Sequence, residues 1–226
     1  MEFFDDPLVA GHASAIVGMI GEELNAAAFK HYVESRGAKA EILHGQNGKT
    51  VGVTQGTKKG KRLDRWIEIE EKGKKTLYQC EIKNWSATAI GGKRLEPEAD
   101  TDTIRNVSKY YWSHQVRTEF SNRKYPSGVT KVLVKMKLLS GFSKAHPLLI
   151  YWMPISKSDS DSVEPFFEVS VSSFKNTAIK TEFKKLYIFS VSLYFRMLLK
   201  NGKKFVNFDM PESQHRISIL RNIGIV

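Results

Sequence analysis

Thiols are almost missing from this chain. Its 226 residues include one cysteine, Cys80, which excludes an intramolecular disulfide and any zinc site built on cysteines. That usage predicts a reducing, cytoplasmic setting. Long hydrophobic runs are missing too. The longest, "LYIFSVSLYFRMLL" (186–199), is shorter than a bilayer-spanning helix and contains Arg196, so it is read as a buried helix and no membrane span is expected. The opening "MEFFDDPLVAGH" is acidic where a secretory leader has a basic segment followed by an apolar core, and no leader is expected. Acidic residues are the minority charge, 24 against 35 lysines and arginines, for a net +11. Clustered positive charge is rewarded by phosphate contacts and counterion release, so a polyanionic partner is favoured, nucleic acid ahead of an anionic membrane surface.

What is present suits one compact domain with a substantial core, since 41% of the residues are hydrophobic. In 12–36, Ile16, Met19, Ile20, Leu24, Ala27, Ala28, Tyr32 and Val33 recur at helical spacing, and Gly37 is a suitable stop. "AEILHG" (40–45) predicts a short strand, followed by a glycine- and lysine-rich connection. "RLDRWIEIE" (62–70) and "KTLYQCEIKNW" (75–85) predict an antiparallel hairpin through the turn "EKGK". Helical periodicity returns over 102–120, with Asp102 as the expected N-cap. Strands are predicted at 128–139, 147–155 and 165–174, the middle one apolar enough to be central. The polar stretch 156–164 is the expected internal boundary; beyond it a helix over 178–200, a short strand at "KFVNF" and a final helix from 212 are predicted. This order fits an α/β sandwich with helices on a mixed sheet.

The chemistry concentrates in "CEIK". Side chains alternate along a strand, so Leu77, Gln79, Glu81 and Lys83 share one face while Tyr78, Cys80 and Ile82 share the other. The preceding strand can bring Asp64 beside Glu81. Two carboxylates converging in a half-buried place repel unless a cation lies between them. Oxygen ligands of this kind suit Mg²⁺ or Mn²⁺ over zinc. Such an ion withdraws charge from a phosphoryl oxygen and activates water, and a nearby lysine orients or deprotonates that water. "GQNGKT" (45–50) is no phosphate-binding loop, because Leu43 stands where that motif needs a glycine.

A helical acid, an Asp at the start of one strand, Glu-x-Lys in the next, and then a helix resemble the PD-(D/E)xK, or restriction-endonuclease-like, nucleases. The pattern reads Glu22 or Glu23 in "GEEL", Asp64 in "RLDRW", and Glu81-Ile82-Lys83. The first position departs from the family, with Leu63 in place of proline. Glu22 is preferred as the helical acid because the two glutamates point about 100° apart and Glu22 stacks with Ala26, Phe29 and Val33.

The resemblance implies a restriction-endonuclease-like core over 1–155, with 156–226 as a C-terminal extension that is part of the same unit or a dimerisation element. It implies that Asp64, Glu81, Glu22 and the Ile82 carbonyl hold Mg²⁺ or Mn²⁺ while Lys83 positions the attacking water, giving a 5′-phosphate and a 3′-hydroxyl. DNA is expected ahead of RNA, in restriction or anti-phage defence, as a homodimer or with a partner subunit of a defence complex. A DNA-repair or junction-resolving nuclease, and a non-catalytic nucleic-acid-binding subunit, are the alternatives. Backbone contacts are expected from Lys58, Lys59, Lys61 and Arg62 in "TKKGKR" and from Lys93 and Arg94 after the Gly-Gly pair. The aromatics Tyr110, Tyr111 and Trp112 fit a core better than a base-stacking surface.

Overall fold

The apolar spacing of the first segment and the alternation of the next three dictate a helix followed by a meander. A computed structural model of the chain describes residues 7–43, 63–84, 95–96, 98–117, 120, 130–136, 138, 141–157, 163–174, 181–203 and 206–222. Helix α1 spans Pro7–Glu34 and ends at Gly37, whose φ of +88° is the left-handed geometry that glycine adopts without strain. Strands β1 (Lys39–Leu43), β2 (Arg65–Glu71) and β3 (Lys74–Lys83) then pair antiparallel. Lys72 and Gly73 join the last two with positive φ at both positions, the requirement of a tight two-residue hairpin turn.

Helix α2 (Thr101–Tyr111) continues into a wider π-helical turn, Trp112–Arg117. Its N-cap is Asp100, which accepts from the Thr103 amide at 2.7 Å; Asp102, the expected cap, lies in the first turn and pairs with Arg105. A 3-10 turn, Thr130–Leu133, precedes β4 (Ala145–Tyr151). Strand β5 (Phe166–Ser170), β6 (Lys185–Ser190), α3 (Val191–Lys200) and α4 (Pro211–Asn222) complete the described elements. The six strands form one mixed sheet in the order β1-β2-β3-β4-β6-β5, with β4 parallel to both β3 and β6. The protein is therefore α/β, a six-stranded mixed sheet flanked by helices. Among the described residues, no helix is long and apolar enough to cross a membrane.

Further expectations need correction. The run expected as a helix over 178–200 contains β6 and then α3. Leu186, Ile188 and Phe189 are buried in the sheet, and Ser190 begins the helix with its hydroxyl facing the Leu193 amide. No strand forms in the described part of 128–139. Val132 and Leu133 are buried, but the Val132 and Val134 carbonyls accept from the Gln79 side chain instead of a ladder partner. "KFVNF" contributes no strand over its described residues 206–208. The polar stretch around 156–164 joins strands of a single sheet, since β5 and β6 lie beyond it.

The sheet is covered on both sides. Phe29, Tyr32, Cys80, Ile82, Ile150, Phe189 and Tyr194 pack between α1, the sheet and α3. Tyr111, Trp112, Val116, Leu149, Tyr151 and Ile188 pack on the opposite face, which puts the α2 aromatics Tyr111 and Trp112 in the core. A smaller cluster, Leu63, Trp66, Leu77, Met136 and Ala145, closes the region beside the hairpin. Leu63 thus packs with Trp66, whereas strict alternation along an unbroken strand would set it on the face of Ile67. The reason is that β2 begins at Arg65 and the chain bends at Asp64.

Candidate active site

The bend sets Asp64 at the mouth of β2 while the β3 backbone holds it from behind. Its amide donates to the Cys80 carbonyl at 3.1 Å, and its carboxylate Oδ2 accepts from the Ile82 amide at 2.7 Å. Strand geometry places the Ile82 carbonyl on the same edge as that amide, beyond the point where β2 begins. The alternation of β3 behaves as its sequence predicts. Cys80 and Ile82 enter the apolar cluster under α1, and Gln79 and Glu81 are buried on the other side.

Glu81 is only 1% exposed, yet it is an acid. Lys83 Nζ lies 2.6 Å from Oε1 and Lys131 Nζ lies 2.8 Å from Oε2. Lys131 Nζ is also 3.8 Å from Asp64 Oδ1. Burial, and then the neighbouring Asp64 charge, push the Glu81 pKa up to about 6 against the pull of the two lysines. Burial also raises the Cys80 thiol well above its ordinary value, which keeps it protonated and unreactive.

Lys131 was absent from the sequence expectation. It reaches the carboxylates because the 3-10 turn that carries it is bolted to β3. The Gln79 side-chain amide donates to the carbonyls of Val132 and Val134, the latter at 2.9 Å, and Thr181 donates to the Leu133 carbonyl at 2.7 Å. The sequence signal was slight: one of three lysines, Lys131, Lys135 and Lys137, in a run that alternates like a strand.

The two helical acids separate cleanly. Glu22 is half-buried and within electrostatic reach of Asp64, Arg65, Lys83 and Lys131; burial and then Asp64 raise its pKa, while the three cations oppose the rise. Glu23 is spent on structure. Its carboxylate accepts the Glu212 and Ser213 amides at 2.7 and 2.6 Å, and the Ser213 hydroxyl, at the N-terminus of α4. This use of a carboxylate matches the unpaired N–H groups of a first helical turn. Arg65 links the same helix to the site edge, bonding Glu212 at 3.1 Å and the Asp64 carbonyl at 2.9 Å. Gly21 lets α1 approach the end of β3: a Cβ there would meet Asn84 Nδ2 at 1.7 Å, and the same Asn84 accepts from Asn25 at 3.2 Å.

Asp64, Glu81, Ile82 and Lys83 are thus brought together, and Glu22 joins them through its electrostatic field. Among the described residues, no group of three or more acidic, histidine or cysteine side chains is close enough to hold an ion by itself. The pair Asp64 and Glu81 nevertheless offers oxygen donors that converge on a position already filled by a cation, the Lys131 ammonium. A hard divalent ion fits that donor set. The expected phosphate contacts Lys58, Lys59, Lys61, Arg62, Lys93 and Arg94 lie outside the described residues. Compared with known proteins, the chain matches no family model, no curated sequence and no solved structure.

Proposed function

We propose that the chain is a metal-dependent nuclease with a restriction-endonuclease-like core, hydrolysing DNA phosphodiesters to a 5′-phosphate and a 3′-hydroxyl. The observation that carries this reading is the convergence of Asp64, Glu81 and Lys83 at the mouth of the β2–β3 hairpin. The element order α1, β1 to β3, α2, β4 around that hairpin supports it, as does the net charge of +11.

In this reading Asp64 and Glu81 hold Mg²⁺ or Mn²⁺, with the Ile82 carbonyl on the same strand edge and Glu22 adding negative charge from α1. A bound ion supplies Lewis acidity at the phosphoryl group and a nucleophile at neutral pH. The chain's own contribution is orientation and charge. The Ile82 amide fixes the Asp64 carboxylate, so its remaining oxygen faces the cation position. Lys83 Nζ, braced by Glu81 Oε1, directs its N–H groups at the attacking water or at the phosphoryl oxygen where negative charge grows. Arg65, braced by Glu212, adds a fixed positive charge at the rim.

Supercoiled plasmid incubated with the protein and Mg²⁺ tests this, in parallel with EDTA and with Lys83→Ala. Nicking or cutting that both treatments abolish is the expected result. A second reading has one observation behind it: the Lys131 ammonium already neutralises both carboxylates, as it would in a non-catalytic DNA-binding subunit. DNA binding with no divalent-dependent cleavage and no divalent uptake would favour that reading.

A further inference from the structure

Among the described residues, each acid at the hairpin mouth lies within reach of a basic side chain. Glu22, Asp64 and Glu81 face Arg65, Lys83 and Lys131. Arg65 is tied outward to Glu212, and Lys83 is tied to Glu81 Oε1. Lys131 differs from both. Its ammonium stands between two carboxylates, 2.8 Å from one and 3.8 Å from the other. That is the position a divalent ion would take, and like charges at contact distance in a half-buried site repel strongly.

The attachment of Lys131 fits a side chain that swings on a fixed base. Its turn is held by Gln79, Thr181 and the buried Val132 and Leu133, so the backbone does not have to move. The side chain itself is 22% exposed and ends a flexible four-carbon stem. Gln79 also acquires a purpose. A fully buried amide on the site face of β3 is costly unless paired, and here the pairing of its N–H group fixes the lysine-bearing turn.

Resting on the nuclease reading, we propose that Lys131 is the resident counter-cation of the ion-free site, leaves the Asp64–Glu81 pair when a divalent cation enters, and passes to a phosphate of the bound DNA strand. Divalent ion and DNA then bind cooperatively, because each favours the position of Lys131 that the other needs, and the coupling is reciprocal.

Calorimetric titration of Ca²⁺, which reports binding without turnover, tests this with and without a duplex oligonucleotide. For the wild type, duplex should tighten Ca²⁺ by about tenfold, a typical coupling. Lys131→Met should tighten Ca²⁺ by about tenfold in the absence of DNA and reduce the DNA-linked gain to about twofold or less. Lys131→Arg keeps a cation between the carboxylates and should restore wild-type weakness without DNA. A melting scan of each variant confirms folding before titration. Wild-type Ca²⁺ affinity and coupling in Lys131→Met would overturn the role of Lys131 while leaving the nuclease reading intact, provided Asp64→Asn loses the ion. Absence of Ca²⁺ uptake by the wild type, with or without DNA, would overturn the nuclease reading and this inference together.

Discussion

The two faces of β3 are built from neighbouring residues of one strand, and they are opposites. Cys80 and Ile82 vanish into an apolar layer under α1, alongside Phe29 and Ile150, where burial costs nothing that must be repaid. Gln79 and Glu81 turn the other way into an equally buried place beside Lys83, where the Gln79 amide group donates to the 130–134 turn and the Glu81 carboxylate meets two ammoniums. The first face holds the strand in position. The second uses that rigidity to keep an acid buried, two ammoniums against it and a second acid beside it. The difference shows that a reactive cluster here is a consequence of firm packing behind it.

Breaking the polar face at Lys83 should have the largest effect. Lys83→Ala is expected to lower Mg²⁺-dependent cleavage by about 10²–10⁴-fold while duplex binding in Ca²⁺ changes little, as read by gel shift. Breaking the apolar face at Ile82 should instead be felt in stability. The side chain is 4% exposed, so Ile82→Ala is expected to cost about 2–4 kcal/mol in urea unfolding. Equal stability in that variant would mean that the layer under α1 does not clamp the strand.

A pH comparison separates the faces again. The Glu81 pKa is raised from its ordinary value to about 6 in the fold. A raised acid favours the folded state most when protonated, so its contribution is full below the unfolded pKa and is lost as pH rises through about 6. In EDTA, wild-type stability should therefore fall relative to Glu81→Gln between about pH 4.5 and pH 6, by roughly 2 kcal/mol. Glu22, also raised, acts in the same direction. A difference of opposite sign would mean that the two lysines outweigh burial. The smallest effect is expected from Gln79→Leu, which removes the side-chain donor to Val132 and Val134. It should cost about 1–2 kcal/mol, with faster amide exchange confined to the 130–134 turn.

The pattern of β3 was legible because a period of two needs no tertiary knowledge, and Glu81 with Lys83 followed from it. The hairpin and α1 were legible for similar reasons of periodicity and turn chemistry. Lys131 was not. It reaches Glu81 across 50 residues, and its turn reads locally as a strand until Gln79 claims its carbonyls. The β6–α3 junction was hidden by an apolar run whose strand and helix halves look alike, with only the Ser190 cap to divide them. Helical spacing already favoured Glu22, but what occupies Glu23, the α4 amides at a sequence separation of 189 residues, was not legible.

That separation has a temporal side. Glu23 is synthesised 189 residues before the Glu212 amide it accepts, an interval of roughly 10–40 s at about 5–20 residues per second. Until α4 emerges, Glu23 must be satisfied by water and Arg65 must do without its Glu212 partner. The shoulder beside Asp64 can therefore be completed only after α4 has been made, although Asp64 and Glu81 themselves lie in the first half of the chain.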